Sequence, residues 1–232
     1  MHDPRLDSDN PAALDEFYLH LHGIREEVEY PEVQGIRLYH NRNTIHFPSH
    51  WHSAIEILYP LEENYTVKIG TEENVLAPGD ILVVAPGTIH SYTPPESGER
   101  IFILFDYNLL KMFRGLRQMM QAIQPSLLIT QTAYPPLNEK LQELLRDVIR
   151  EYDEDVPYCG AMIWSRLLEF FAYIGRTDVY RISHSREFPK DKRQEYVTKF
   201  MEVCNYITDH LDEEINTDRL AEIAGFSKFH FS

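Results

Sequence analysis

Glu213-Glu214-Ile215-Asn216-Thr217-Asp218-Arg219-Leu220-Ala221-Glu222-Ile223-Ala224-Gly225-Phe226-Ser227-Lys228-Phe229-His230-Phe231-Ser232 reads as two short helices folded around a glycine. Ala221 is small where two helices would cross, and Gly225, four residues on, can enter the left-handed turn region without a Cβ penalty. Leu220, Ala224 and Phe226 are predicted to face inward, with Phe231 as the apolar anchor of the second helix. Thr217 and Ser227 stand where helix N-caps belong. The spacing predicts a helix-turn-helix that is incomplete at Ser232. Such a unit offers its second helix to a DNA major groove. The plainer alternative is an ordinary helical hairpin with a glycine between its arms.

Upstream of this unit the texture divides in two. From Val33 to Tyr107, short β-rich runs alternate with turn residues such as Asn41-Arg42-Asn43, Ala77-Pro78-Gly79-Asp80 and Ala85-Pro86-Gly87, which predicts a sandwich or barrel. Ile36 to His40, Thr44 to Phe47, Trp51 to Tyr59 and Ile101 to Tyr107 are among the predicted strands. After that the chain turns helical. Leu137 to Tyr152 and Tyr158 to Gly175 carry apolar residues at helical spacing and are expected to pair antiparallel. Asn108 to Gln121 and Gln194 to Leu211 are further predicted helices, and Ala12 to His22 suggests a short one near the N-terminus. The polar stretch from Asp178 to Arg193 reads as a linker. The fold class expected is therefore α+β, with the divisions 1–32 as an N-terminal arm, 33–132 as a barrel, 133–177 as a helical dimerisation segment, 178–193 as a linker and 194–232 as the start of a DNA-binding domain.

Bulk composition excludes several classes. No apolar run reaches the roughly 18 residues of a membrane span, and Met1-His2-Asp3-Pro4-Arg5 lacks the basic start and apolar core of a secretion signal. The expectation is a cytoplasmic protein without a membrane partner. Cys159 and Cys204 sit alone in helical patterns, as core thiols do in a reducing compartment. The net charge of −15 opposes nucleic-acid binding by the chain as a whole. The acidity is uneven, however: residues 181–232 hold 8 Lys+Arg against 10 Asp+Glu, and the remainder 14 against 27.

The chemistry-bearing residues concentrate in the strand region. His50-Trp51-His52-Ser53-Ala54-Ile55-Glu56 would, in one regular strand, aim positions 50, 52 and 56 at the same face. Gly79-Asp80, then Pro86-Gly87-x₂-His90, adds a strand, a tight turn and a third imidazole. Three histidines and a carboxylate converging in a barrel suit Fe, Mn, Ni, Cu or Zn, so His50, His52, Glu56 and His90 form a candidate divalent transition-metal set. The same residues with aromatic neighbours, including Trp51, Tyr59 and Tyr92, also suit a metal-free pocket for a sugar-like or aromatic molecule. A purely structural histidine cluster is the third reading.

His-x-His-x₃-Glu followed by Gly-Asp and Pro-Gly-x₂-His is the two-part signature of a cupin barrel, a double-stranded β-helix, although Tyr59-Pro60-Leu61-Glu62-Glu63 stands where a glycine usually follows. With paired helices, a linker and the Leu220-Ala221-x₃-Gly225-Phe226-Ser227 motif after it, the order of parts resembles the AraC-type transcriptional regulators over nearly the whole chain. The resemblance implies an N-terminal cupin-like barrel that binds a small effector, helices that form a homodimer, and DNA as the partner. It implies effector contacts at His50, Trp51, His52, Glu56, His90 and Tyr92, and DNA contacts at Arg219, Lys228, His230 and Ser232. No enzymatic activity is implied. A metal-dependent cupin enzyme (dioxygenase or isomerase type) or a metal-sensing regulator would use the same four ligands.

Overall fold

The computed structural model describes residues 21–30, 33, 35–110, 113, 116, 119, 123–177 and 192–231. The chain divides into two compact units, Met1–Glu187 and Phe188–Ser232.

The first unit is built in layers. A five-stranded antiparallel sheet runs in the order β11 (Ser126–Ile129), β8 (Ile81–Val84), β5 (Ile55–Pro60), β10 (Arg100–Phe105), β3 (Ile36–Asn41). Its central strands are buried on both faces, so their alternation sorts residues between two different cores. Ile55, Ile57, Tyr59, Ile81, Val83, Ile101, Ile103 and Phe105 pack on a helix pair. The intervening Leu58, Leu82, Val84, Phe102 and Leu104 pack on a second sheet. That second sheet is four-stranded, in the order β4 (Phe47–His50), β9 (His90–Thr93), β6 (Tyr65–Ile69), β7 (Glu72–Leu76). It contributes Phe47, Tyr65, Val67, Ile69, Leu76 and Tyr92 to the shared interior. A separate hairpin, β1 (Leu21–His22) with β2 (Arg25–Glu26), completes the strands described, and α1 (Tyr107–Leu110) follows β10.

The helix pair is α2 (Pro135–Glu154) and α3 (Cys159–Arg176). Two prolines open α2, where their missing N–H groups cost nothing. Leu137, Leu141, Leu144, Leu145 and Val148 of α2 and Ile163, Leu167, Phe170, Phe171 and Ile174 of α3 are buried in the common core. Buried Asn138 ties α2 to the sheet by donating from Nδ2 to the carbonyls of Gly79 and Ile129, each at 3.0 Å.

The second unit comprises α4 (Lys192–Asp209), α5 (Thr217–Ala224) and α6 (Lys228–Phe231). Gly225 closes α5 with φ 67°, and its N–H reaches back to the carbonyls of Ala221 and Glu222. Ala221 and Ala224 are buried, Leu220, Phe226 and Phe231 half-buried. Phe226 stacks on Tyr196 of α4 with ring centroids 5.8 Å apart. Phe229, in contrast, is 95% exposed.

Several sequence expectations change. The strands do not close into a barrel: among the described residues no strand pair joins the two sheets, which stack face to face and meet through side chains. The expected strand from Trp51 to Tyr59 begins only at Ile55, because the chain changes sheet between His50 and Ile55. The N-cap of α5 is Asn216 rather than Thr217; the Asn216 side chain accepts from the Arg219 N–H at 2.9 Å. Helix α4 starts at Lys192, inside the expected linker, whose residues 178–191 lie outside the described residues. Of the expected helix from Ala12 to His22, Leu21 and His22 form a strand and 12–20 lie outside the described residues. Most of the expected helix beyond Leu110 also lies outside them. No helix among the described residues is long and apolar enough to cross a membrane, and neither Cys159 nor Cys204 is in a disulfide.

Candidate functional site

His50 ends β4 and His90 begins β9, and the two are register partners in the four-stranded sheet. Their ring centroids lie 4.2 Å apart. Tyr92, two residues along β9, turns to the same side, with its ring 5.2 Å from that of His90. Glu56 enters from the opposite layer, between Ile55 and Ile57 on β5, where alternation reverses its direction relative to those core residues. His52 sits in the crossing between the sheets. Its carbonyl accepts from the Gly87 N–H at 2.8 Å, so the Pro86-Gly87 turn, with Gly87 at φ 76°, fastens the crossing in place. His50, His52, Glu56, His90 and Tyr92 are all buried. The predicted convergence occurs, but two stacked sheets produce it rather than one strand face.

All three histidines share one orientation. Nδ1 of His50 lies 3.0 Å from the Pro48 carbonyl, Nδ1 of His52 lies 3.1 Å from that of Ala54, and Nδ1 of His90 lies 2.8 Å from that of Thr88. A carbonyl only accepts, so each Nδ1 carries the proton and each Nε2 points to the common centre. One ring nitrogen from each of the three lies within 4.8 Å of the others. Nε2 of His52 is 2.7 Å from Glu56 Oε2. Nε2 of His90 stands 3.3 Å from the same oxygen without a well-directed hydrogen bond, and among the described residues it is a buried nitrogen with no hydrogen-bond partner. The Tyr92 hydroxyl donates to Glu56 Oε1.

The charges follow from this packing. Burial alone would raise the Glu56 carboxyl, but the His52 hydrogen bond and the nearby His90 ring outweigh it and hold it far below the usual carboxylate range. Burial alone would lower His52, and its hydrogen bond with Glu56 reverses that, so His52 is raised. With both ring nitrogens facing acceptors, His52 is an imidazolium paired with the Glu56 carboxylate. His90 goes the other way, lowered to about 4 by burial and by the neighbouring His50. Tyr92 is held well above its ordinary value by burial and by Glu56.

A cavity of about 490 Å³, counting its open mouth, adjoins this cluster between the sheets. His50, Glu56 and Tyr92 form one part of its wall and Arg100, Asn41 and Tyr65 another, with Phe47, Phe102 and Leu104 supplying apolar surface. Glu26, from the β1–β2 hairpin, also lines it, with Oε2 3.3 Å from His50 Nε2. Burial alone would raise the Glu26 carboxyl, and the His50 interaction lowers it.

The cluster therefore brings together His50, His52, Glu56, His90 and Tyr92 of the predicted residues. Trp51 is placed elsewhere: it bridges to the hairpin through Glu26 N–H to Trp51 O and Trp51 N–H to Ile24 O, both 2.9 Å, and lies under the Arg25 guanidinium. In the second unit, exposed Arg219 pairs with Glu222 at 2.6 Å. Lys228 and His230 lie on the α6 backbone and Ser232 lies outside the described residues. Sequence reading missed Glu26 and Arg100. Glu26 reaches the site only through the hairpin's bridge to Trp51, which leaves no local pattern. Arg100 carried a faint signal as the charge opening an otherwise apolar strand, Arg100-Ile101-Phe102-Ile103-Leu104-Phe105.

A family model described as the AraC-like ligand binding domain matches residues 33–171, more than half of the chain. The chain belongs to this family. The matched span covers both sheets and nearly all of the helix pair, so the AraC-like domain includes the cavity and the histidine cluster. The AraC-like transcriptional activator CuxR is similar in structure at 12% identity and a TM-score of 0.48, over 76% of this chain and 58% of that one. The chain thus spans well under two thirds of CuxR. ToxT of Vibrio cholerae is similar at 10% identity and a TM-score of 0.42, over 85% of this chain and 90% of that one. A point-mutant form of the oxalate decarboxylase OxdC of Bacillus subtilis is similar over 31% of this chain and 21% of that one, at 21% identity and a TM-score of 0.28. No curated protein matches.

Proposed function

We propose that the chain is the sensing part of a cytoplasmic, effector-responsive transcriptional regulator, with a small molecule bound between the sheets as its input. The observation that carries this reading is a cavity walled by His50, Glu56 and Tyr92 inside a domain of the AraC-like ligand-binding family. Buried polar groups beside aromatic walls are what orients a small ligand. The output would run through α2 and α3 as a homodimer seam and through α5, Gly225 and α6 as the first helix-turn-helix of a DNA-binding domain. Arg219, Lys228, His230 and Ser232 would then lie near DNA. Residues 1–32, 33–132, 133–177, 178–193 and 194–232 would serve as arm, cupin-like sensor, dimer segment, linker and DNA-binding fragment. A ligand alters DNA occupancy only by its differential affinity for two arrangements of these parts, typically about 1–3 kcal/mol.

The test is a thermal-shift screen of the purified chain against sugars, aromatic acids and divalent metals, repeated on Glu56→Gln and His50→Ala. A ligand that stabilises the wild type and neither variant supports the reading. A screen without any stabilising compound counts against it.

One observation favours a second reading of the input. Three imidazoles locked through Nδ1, with Nε2 turned to a common centre and the His90 Nε2 unpartnered, fit a divalent transition metal, and Glu56 Oε2 would supply the fourth ligand. Bound there, a metal would act as the effector or as the anchor of one. Elemental analysis separates the two readings: near-stoichiometric metal that His50→Ala abolishes selects the metal.

A further inference from the structure

Among the described residues, one charge of the cavity wall is left without a counter-charge. Glu56 faces His52, and Glu26 faces His50. Arg100 has no such partner. It is 1% exposed, and among the described residues its guanidinium reaches only neutral groups. Nη2 donates to Asn41 Oδ1 at 2.5 Å and to the Asn43 carbonyl, Nη1 donates to the Gly98 carbonyl at 3.3 Å, and Tyr65 lies beneath the plane at 4.7 Å. A guanidinium has five N–H donors. Among the described residues Nε is buried with no partner. A buried cation without a counter-charge is unfavourable unless something supplies one, and in a chain of net charge −15 acidic residues were plentiful.

The geometry sets the reach of what would fill the space. Arg100 opens β10, and Leu104, four residues along, is the register partner of Glu56. At about 3.3 Å per residue Arg100 and Leu104 are about 13 Å apart, and with the strand spacing of about 4.8 Å the backbone positions of Arg100 and Glu56 are about 14 Å apart. The Tyr65, Tyr92 and Phe102 rings pack between them, with centroids 5.1 to 6.0 Å apart.

Building on the proposed effector site, we infer that its ligand is a small organic carboxylate. The carboxylate would pair with Arg100. An apolar or aromatic body would lie along Tyr65, Tyr92 and Phe102. A hydroxyl at the far end would meet the Glu26, His50 and Glu56 group. Planar carboxylate recognition is what a fixed guanidinium fork does best. Neutral sugars would leave the Arg100 charge as it is.

The test is calorimetry on the full 232-residue chain, with metal removed by chelator, using 4-hydroxyphenylacetate, its neutral counterpart 4-hydroxyphenylacetamide, phenylacetate, xylose and glucose as probes. The acid should bind at least tenfold tighter than the amide, a difference of about 1.4 kcal/mol. Arg100→Gln should erase that ratio. Because Arg100 also holds Asn41 and Asn43, its variant is checked for folding, and the acid-to-amide ratio in wild type is an independent reading. Tyr92→Phe should weaken 4-hydroxyphenylacetate relative to phenylacetate and keep the acid-to-amide ratio. Amide binding equal to acid, or xylose or glucose binding while acids do not, overturns the carboxylate inference and leaves the effector site standing. Failure of every probe counts against both.

Discussion

Nε2 of His52 lies 2.7 Å from Oε2 of Glu56, although the chain changes sheet between His50 and Ile55 and only Glu56 lies in a strand. The pair closes the interior between the layers, and its charges depend on each other. Glu56→Gln should cost about 3 kcal/mol of unfolding free energy at pH 7, the range seen when one half of a buried ion pair is removed. Burial would then act on His52 without its partner, so the ring should change from charged to neutral at pH 7. Urea denaturation gives the first quantity and NMR titration of the ring the second. A loss below about 1 kcal/mol would mean that solvent already screens the pair.

His90 sets the acid limb of stability. Its folded pKa, about 4, lies below the ordinary 6.5, so the unfolded chain takes up the proton first. Stability should therefore fall as pH drops from about 6.5 to about 4, by up to about 3 kcal/mol from this residue. Glu56, whose folded pKa is depressed, keeps its contribution above the unfolded carboxyl value near 4.3 and loses it only in stronger acid. His52, whose folded pKa is raised, acts oppositely: its contribution is complete below about 6.5 and fades as pH rises through its folded value. His90→Asn should flatten the window from pH 6.5 to 4 in particular. Chelator-treated protein followed by thermal melts across pH is the measurement.

Much of this site could be read from the sequence, though the reading misplaced its cause. His50, His52, Glu56 and His90 converge as their spacing suggested, yet period-two alternation on one strand did not bring them together. The chain bends out of β4 at His50 and enters β5 at Ile55, and each residue then alternates within its own sheet. The helix pair was the easier part, since Leu141, Leu145, Phe170 and Ile174 recur at a helical period that needs no partner to be recognised. Trp51 followed the motif by position but faces the hairpin. Glu26 and Arg100 join the cavity through long-range pairing, β2 with the crossing and β10 with β3. No local window of sequence contains such pairing.

Metal uptake should release a proton. His52 carries its charge on Nε2, the atom that would bind the ion, so binding must displace that proton. Calorimetry with Zn²⁺ or Co²⁺ in two buffers of different ionisation enthalpy should show about one proton released near pH 7. Affinity should weaken as pH falls below the His52 value. His50→Ala should abolish uptake, whereas Trp51→Phe should not, because that ring lies outside the cluster. Uptake that survives His50→Ala would place the ion somewhere else.

The turn between α5 and α6 offers a check on the second unit. Asn216 caps one end of α5, and Gly225 closes the other at φ 67°. Asn216→Ala should cost about 1 kcal/mol, because the Arg219 N–H loses its side-chain acceptor. Gly225→Ala should cost a similar amount, about 1 kcal/mol, from backbone strain alone. A Cβ there would meet nothing closer than Lys199 Nζ at 3.8 Å, so no clash adds to it. Gly225→Asn should cost less, since asparagine tolerates the left-handed region. Hydrogen exchange of the α5 amides reads all three variants. Equal costs for alanine and asparagine would show that the sign of φ does not set the cost at this turn.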